Sequence, residues 1–114
     1  MKEYEIEKLS PALRQALDEL GKRVRKQFDV EAMYLFGSVV RGEDDSESDA
    51  DVLIILKEEF SRPLRHRITD AVFEINLAMG TNISSLVVDK ANWFSGPLSV
   101  LPLKEEIMRE GVAV

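Results

Sequence analysis

Two short groups of residues could do chemistry together: Gly37-Ser38 and, after ten intervening residues, Asp49-Ala50-Asp51. An apolar run, Ala32 to Phe36, leads into the first group, and a second, Val52 to Leu56, leaves the other. Val52 to Leu56 is β-branched and aliphatic with no Gly or Pro, which predicts a buried strand. Side chains two apart on a strand share a face, roughly 6.5–7 Å apart along it. Asp49 and Asp51 then point the same way, and two such carboxylates need a cation between them. A hard divalent ion, Mg²⁺ or Mn²⁺, takes oxygen ligands and keeps room for substrate phosphates. Gly37 lets the backbone turn sharply and approach a ligand closely. The Ser38 hydroxyl and the N–H groups after it can hold phosphate oxygens, aided by a helix N-terminus if one begins there. Metal ligands beside a phosphate cradle imply a nucleoside triphosphate site. A Gly-Ser turn followed by a solvated acidic loop would leave the two apolar runs abutting these groups unexplained.

With Arg41-Gly42 and with Ser48 before the first Asp, these residues follow the pattern GSxxRG and then SDxD. In this they resemble the minimal nucleotidyltransferases of the DNA polymerase β superfamily. The specific part of the resemblance runs from Phe36 to Ile54, and the looser part covers nearly the whole chain. It implies that Asp49 and Asp51 are catalytic and bind Mg²⁺ or Mn²⁺. It also implies that Gly37 and Ser38, with Arg41 bracing the acidic loop or touching phosphate, hold an NTP, with ATP the expected one. The family carries a third carboxylate on a later strand, often in a Val-Asp-Leu context. The matching strand here is Ile83 to Val88, with Ser84 or Ser85 where that Asp would stand and Asp89 several residues further on. This departure bears on catalysis more than on fold or nucleotide binding.

The elements that must position these groups can be read from the same sequence. Ser10-Pro11 is an N-cap and first helical position, and Leu13, Leu17, Leu20 and Val24 form one apolar face of a helix ending near Phe28. A second helix is expected from Arg62 to Met79, with Leu64, Ile68, Ala71, Val72, Ile75 and Ala78 inward and Gly80 as its stop. His66, Asp70, Glu74 and the cluster Lys22, Arg23, Arg25, Lys26 fall on solvated faces. Asp89 can cap a short turn, Lys90 to Phe94. Trp93-Phe94 could stack on a base but suits core or dimer packing better. Pro102 opens a last helix ending at Glu110-Gly111, and Val112 to Val114 either pairs as an edge strand or packs on the first helix. The order α, β, β, α, β, α gives an α+β fold: a small mixed sheet with helices packed on one face, the polymerase-β-type nucleotidyltransferase fold that the resemblance also implies.

Length and composition bound the rest. The 114 residues suit one domain spanning 1–114. No cysteine and a single histidine exclude disulfides, thiolate sites and His-based zinc clusters. Of 21 acidic residues, six (Glu43, Asp44, Asp45, Glu47, Asp49, Asp51) lie in one stretch, and the other fifteen offset the fifteen Lys and Arg. The net charge of −6 therefore belongs to one loop, and direct non-specific nucleic-acid binding is not expected. No apolar run approaches the roughly 20 residues of a membrane span and no signal peptide is evident, so a cytoplasmic location is expected. A P-loop fails on charge: Gly37-x₄-Gly42 has the spacing, but Glu43-Asp44 stand where Lys-Ser/Thr should be.

Two functions stand side by side. One is transfer of a nucleotidyl group from NTP with Mg²⁺ to a hydroxyl acceptor, on a surface that a partner protein or a second copy (a homodimer) must supply. The other is a catalytically degenerate nucleotide-binding module, acting as antitoxin to a HEPN-type helical toxin, the kind of partner the resemblance suggests. Ser84 and Ser85 favour the second reading; the intact Gly-Ser and Asp-x-Asp groups favour the first.

Overall fold

A computed structural model describes residues 9–37, 50–59 and 61–114, without the side chains of residues 97 and 98. Helix α1 (Pro11–Gln27) begins where the Ser10 hydroxyl accepts the Leu13 N–H at 3.2 Å. Strands β1 (Val30–Phe36) and β2 (Ala50–Leu56) pair antiparallel. Helix α2 (Arg62–Met79) starts at a Ser61 cap and stops at Gly80 in the left-handed conformation, φ 66°, with the bounds the sequence predicts. Strand β3 (Ile83–Asp89) runs parallel to β2, which requires a crossover, and α2 provides it. A short helix α3 (Lys90–Ser95), a 3₁₀ turn (Pro97–Val100) and helix α4 (Pro102–Glu110) follow. Strand β4 (Val112–Ala113) closes the sheet against β1, in the order β3-β2-β1-β4. This is the mixed α+β architecture expected.

Strand β2 divides the core, because alternate side chains go to opposite faces. Ala50, Val52, Ile54 and Leu56 join Leu17, Leu20 and Val24 of α1 and Ile68, Val72 and Ile75 of α2 in the larger cluster. Leu53 and Ile55 face the other way, toward Val88, Trp93 of α3 and Ile107 of α4, with Tyr34 and Phe36 alongside. The two long helices thus share one face as expected, and the short C-terminal helices cover part of the opposite face. Trp93 belongs to that second core and is buried, while Phe94 is largely exposed. Lys104 of α4 lies over both rings and donates to the Trp93 carbonyl at 2.6 Å. His66, Asp70 and Glu74 are exposed, and Glu74 pairs with Arg23 across the two long helices. Both expectations for the tail are met in part. Val112 pairs with β1, and Val114 packs on the larger cluster and accepts from Arg25 of α1. Among the described residues no helix is long and apolar enough to cross a membrane.

Asp89 is a structural residue at the strand's far end. Its buried carboxylate accepts from the Asn92 backbone N–H at 2.8 Å and the Asn92 side chain at 3.1 Å, capping α3. Removing a buried, hydrogen-bonded cap costs about 1–3 kcal/mol. Asp89→Ala should lower the urea midpoint accordingly with an unchanged slope. A midpoint within error of the wild type would show that the cap contributes nothing.

Candidate active site

The register of the sheet assembles the site. On β2, Asp51 is the partner of Phe36 on one side and of Ser84 on the other. Gly37 follows Phe36 directly and turns with φ +86°, one of two positive-φ glycines among the described residues. A Cβ placed on Gly37 would lie 2.5 Å from Asp51 Oδ2. The carboxylate therefore rests against the bare α-carbon of Gly37, in the space that any side chain would fill. Two constraints meet at this glycine, the left-handed backbone and the close approach, and only glycine satisfies both.

Alternation decides between the two serines. Ser84 shares the open face of Asp51, on a neighbouring strand about 4.8 Å away, and is exposed; Ser85 faces α2. Asp89 pairs with Leu56, five residues beyond Ser84, or about 16 Å along the strand. It is too far to serve Asp51. Ser84 is thus the position where a third carboxylate would stand.

The placement of Ser84 depends on Asn76, near the end of α2. Its side-chain oxygen accepts the Ile83 N–H at 2.8 Å and its amide donates to the Ile83 carbonyl at 3.0 Å, fixing the start of β3. Thr81 donates to the same oxygen at 3.1 Å. Sequence reasoning passed over Asn76; the signal was a lone amide one turn before the helix-ending glycine. Between α2 and β3 lies a groove of about 510 Å³, whose lining includes Asn76, Ser84 and Ser85.

Of the residues expected to form the site, Gly37 and Asp51 are brought into contact. Ser38, Arg41, Asp49 and the acidic stretch Glu43 to Glu47 lie outside the described residues. Among the described residues no group of three or more acidic or histidine side chains could hold a metal ion. Asp51, with hard oxygen donors lying against Gly37, would be one ligand of a divalent cation, and any further carboxylate would have to come from outside the described residues.

Gly37 supplies a test with an internal control. Gly80 also has positive φ, but a Cβ there would meet nothing within 4 Å. Both Gly37→Ala and Gly80→Ala should cost about 1–2 kcal/mol of stability for the left-handed backbone. Only Gly37→Ala should also displace the Asp51 carboxylate and weaken Mn²⁺–ATP binding by at least about tenfold, or 1.4 kcal/mol. Calorimetric titration of both variants distinguishes the effects, and equal affinities would remove Gly37 from the site.

The sequence profile of the Nucleotidyltransferase domain matches residues 13–114. The "Putative protein adenylyltransferase MJ1305" of Methanocaldococcus jannaschii is 36% identical over 81 residues, covering 68% of this chain and 55% of that protein. The chain spans about half the length of that curated relative. Among solved structures, one described as a "putative minimal nucleotidyltransferase" superposes with a TM-score of 0.62 at 22% identity, covering 90% of this chain and 92% of its own. A toxin–antitoxin structure with AMP-PNP superposes with a TM-score of 0.57 at 18% identity, covering 84% and 69%. At these identities the superpositions establish a shared fold. The extent of the profile match settles the family: the chain is a member of the Nucleotidyltransferase domain family.

Proposed function

We propose that this chain binds a nucleoside triphosphate, ATP in the first instance, with Mg²⁺ or Mn²⁺, and transfers its nucleotidyl group to a hydroxyl on a partner protein. The observation that carries the proposal is the contact between Gly37 and the Asp51 carboxylate, within a chain of this family. Asp51 and Asp49 hold the metal. Gly37 and Ser38 hold the triphosphate, and Arg41 contacts phosphate or braces the loop. A metal held there would neutralise phosphate charge and polarise the α-phosphorus. The acceptor oxygen forms a bond to that phosphorus as its bond to the α,β-bridging oxygen breaks, pyrophosphate leaves, and the acceptor's proton passes to solvent. On this reading Asp51, whose carboxylate lies against Gly37, stands near the acceptor. A protein acceptor is supported by the name of the archaeal relative.

A second reading rests on Ser84. The acceptor hydroxyl must lose its proton, and a serine hydroxyl beside Asp51 is a poor base at neutral pH and a weak metal ligand. On this reading the chain binds nucleotide without turning it over and acts by binding a toxin of the HEPN type; the fold shared with a toxin–antitoxin structure supports it. In either case we place the protein in the cytoplasm; on the first reading the acceptor lies on a partner protein or a second copy.

Of two measurements, the first tests the metal and nucleotide binding that both readings share, and the second separates them. At about 100 times Kd a ligand stabilises the native state by about 2.7 kcal/mol. Mg²⁺ with ATP should therefore raise the melting temperature by several degrees, and the double change Asp49→Asn, Asp51→Asn should abolish the rise. An undiminished rise in that variant would overturn the metal assignment. Pyrophosphate release from ATP, with glycerol as a simple acceptor, should be slow in the wild type and rise at least about tenfold, 1.4 kcal/mol of barrier, in Ser84→Asp. Ser85→Asp, facing α2, should show no gain. Brisk release by the wild type would sink the degenerate reading.

A further inference from the structure

Among the described residues, strand β3 is an edge of the sheet. The sheet order leaves its outer side without a partner strand among the described residues, whereas β4 covers the outer side of β1. Folded proteins usually protect such edges with lysine, proline, bulges or very short strands. From Ile83 to Val88 there is no charge, no proline and no glycine, and the pairing with β2 runs unbroken to Asp89. The surroundings are apolar: Phe73 and Leu77 of α2 are 65% and 75% exposed, and Leu86 on the strand 36%. Beneath this edge runs the groove between α2 and β3, from Ser84 at one end to Arg65 at the other.

Charge enters at the Arg65 end. The first two turns of α2 carry Arg62, Arg65, His66 and Arg67, with no acid in the first turn. Cations at a helix N-terminus oppose the macrodipole, so helix stability does not account for them. Arg67 lies over the Phe28 ring at 4.8 Å. Arg62 and Arg65 form no ion pair among the described residues. In a chain of net charge −6 this is a local positive patch at the mouth of an apolar, strand-lined groove.

We propose that an extended segment of a partner protein, acidic at its N-terminal end, adds to the free edge of β3 as a further antiparallel strand. Its acidic residues meet Arg62 and Arg65. Its main chain pairs with the edge N–H and C=O groups, and alternate side chains pack toward Phe73. A second copy pairing antiparallel would set the Asn76 end of the groove opposite Arg65, and the groove lining carries no acid there. A nucleic acid would find two arginines and then a groove lined by Thr69, Asn76, Ser84 and Ser85 among apolar side chains, with no further cation in its lining. The docking site goes beyond the transfer reading, and its binding needs neither metal nor nucleotide. A segment lying there passes Ser84, one strand away from Asp51.

The probe is a fluorescein-labelled eight-residue peptide, two glutamates followed by alternating valine and threonine, read by anisotropy against the full chain. Saturable binding below about 1 mM is expected. It should weaken at least about tenfold, 1.4 kcal/mol, in the double change Arg62→Glu, Arg65→Glu, and equally when the glutamates are replaced by lysines or alternate peptide amides are methylated. The amide resonances of residues 83 to 88 should shift on titration. Circular dichroism and melting temperature verify that the variant is folded. The proposal is overturned by absent binding, by equal affinity for the glutamate and lysine peptides, or by indifference to the arginine changes. It is overturned as well if a ten-nucleotide RNA displaces the peptide. A wild-type dimer that Leu86→Lys dissociates would assign the edge to a second copy instead.

Discussion

The arrangement of this molecule depends on strand β2 being paired on both sides and buried on both faces. Its neighbours differ in direction, β1 antiparallel and β3 parallel, so one residue of β2 can bring together the end of one strand and the beginning of another. Asp51 is that residue. Because Phe36 and Ser84 are its register partners, Gly37 and Ser84 need no loop to hold them near its carboxylate. A one-residue slip of either pairing would turn the site's side chains to the helix face. The core on both sides of β2 resists such a slip, since Val52, Ile54 and Leu56 on one face and Leu53 and Ile55 on the other would all lose their partners.

The distribution of apolar cover explains why the site lies where it does. Helices α1 and α2 seal one face of the sheet along its length. Helices α3 and α4 reach the other face through Trp93 and Ile107, and α3 begins at Asp89, the end of β3 away from Asp51. Among the described residues, the apolar cover of that face does not include Asp51. Burial fixes the strands. Asp51 meets Gly37 at the start of β2, while Asn76 and the Asp89 cap hold β3 at its two ends.

Much of this was legible in the sequence, for local reasons. Ser10-Pro11 marks a helix start and Gly80 a helix stop, each through a hydrogen bond or backbone conformation set within a few residues, and α2 has the expected bounds. Asp89 was recognisable as a cap for the same reason. The nearness of Gly37 to the Asp-x-Asp group was implied by two apolar runs joined by a connection. The choice between Ser84 and Ser85 was not legible, since it requires the register of a parallel pair whose strands are separated by a whole helix. Nor was the second apolar layer, because the spacing of Trp93 and Ile107 says that they are buried and not against which face. The setting of the arginines of α2 was not legible either, since it depends on the sheet order that puts β3 at the edge of the described strands.

Trp93 gives the molecule a built-in optical label. It is the sole tryptophan in the chain, its indole is enclosed by aliphatic side chains, and the Lys104 ammonium stands 5.5 Å from its ring centre. Tryptophan emission from this chain therefore originates in the thinner of the two hydrophobic layers. The layer between the sheet and the long helices contributes no such signal. Ellipticity at helical wavelengths, by contrast, is dominated by α1 and α2. Fluorescence and circular dichroism thus interrogate opposite sides of one four-stranded sheet, and their coincidence or divergence during denaturation reports whether the two layers melt as a single cooperative unit.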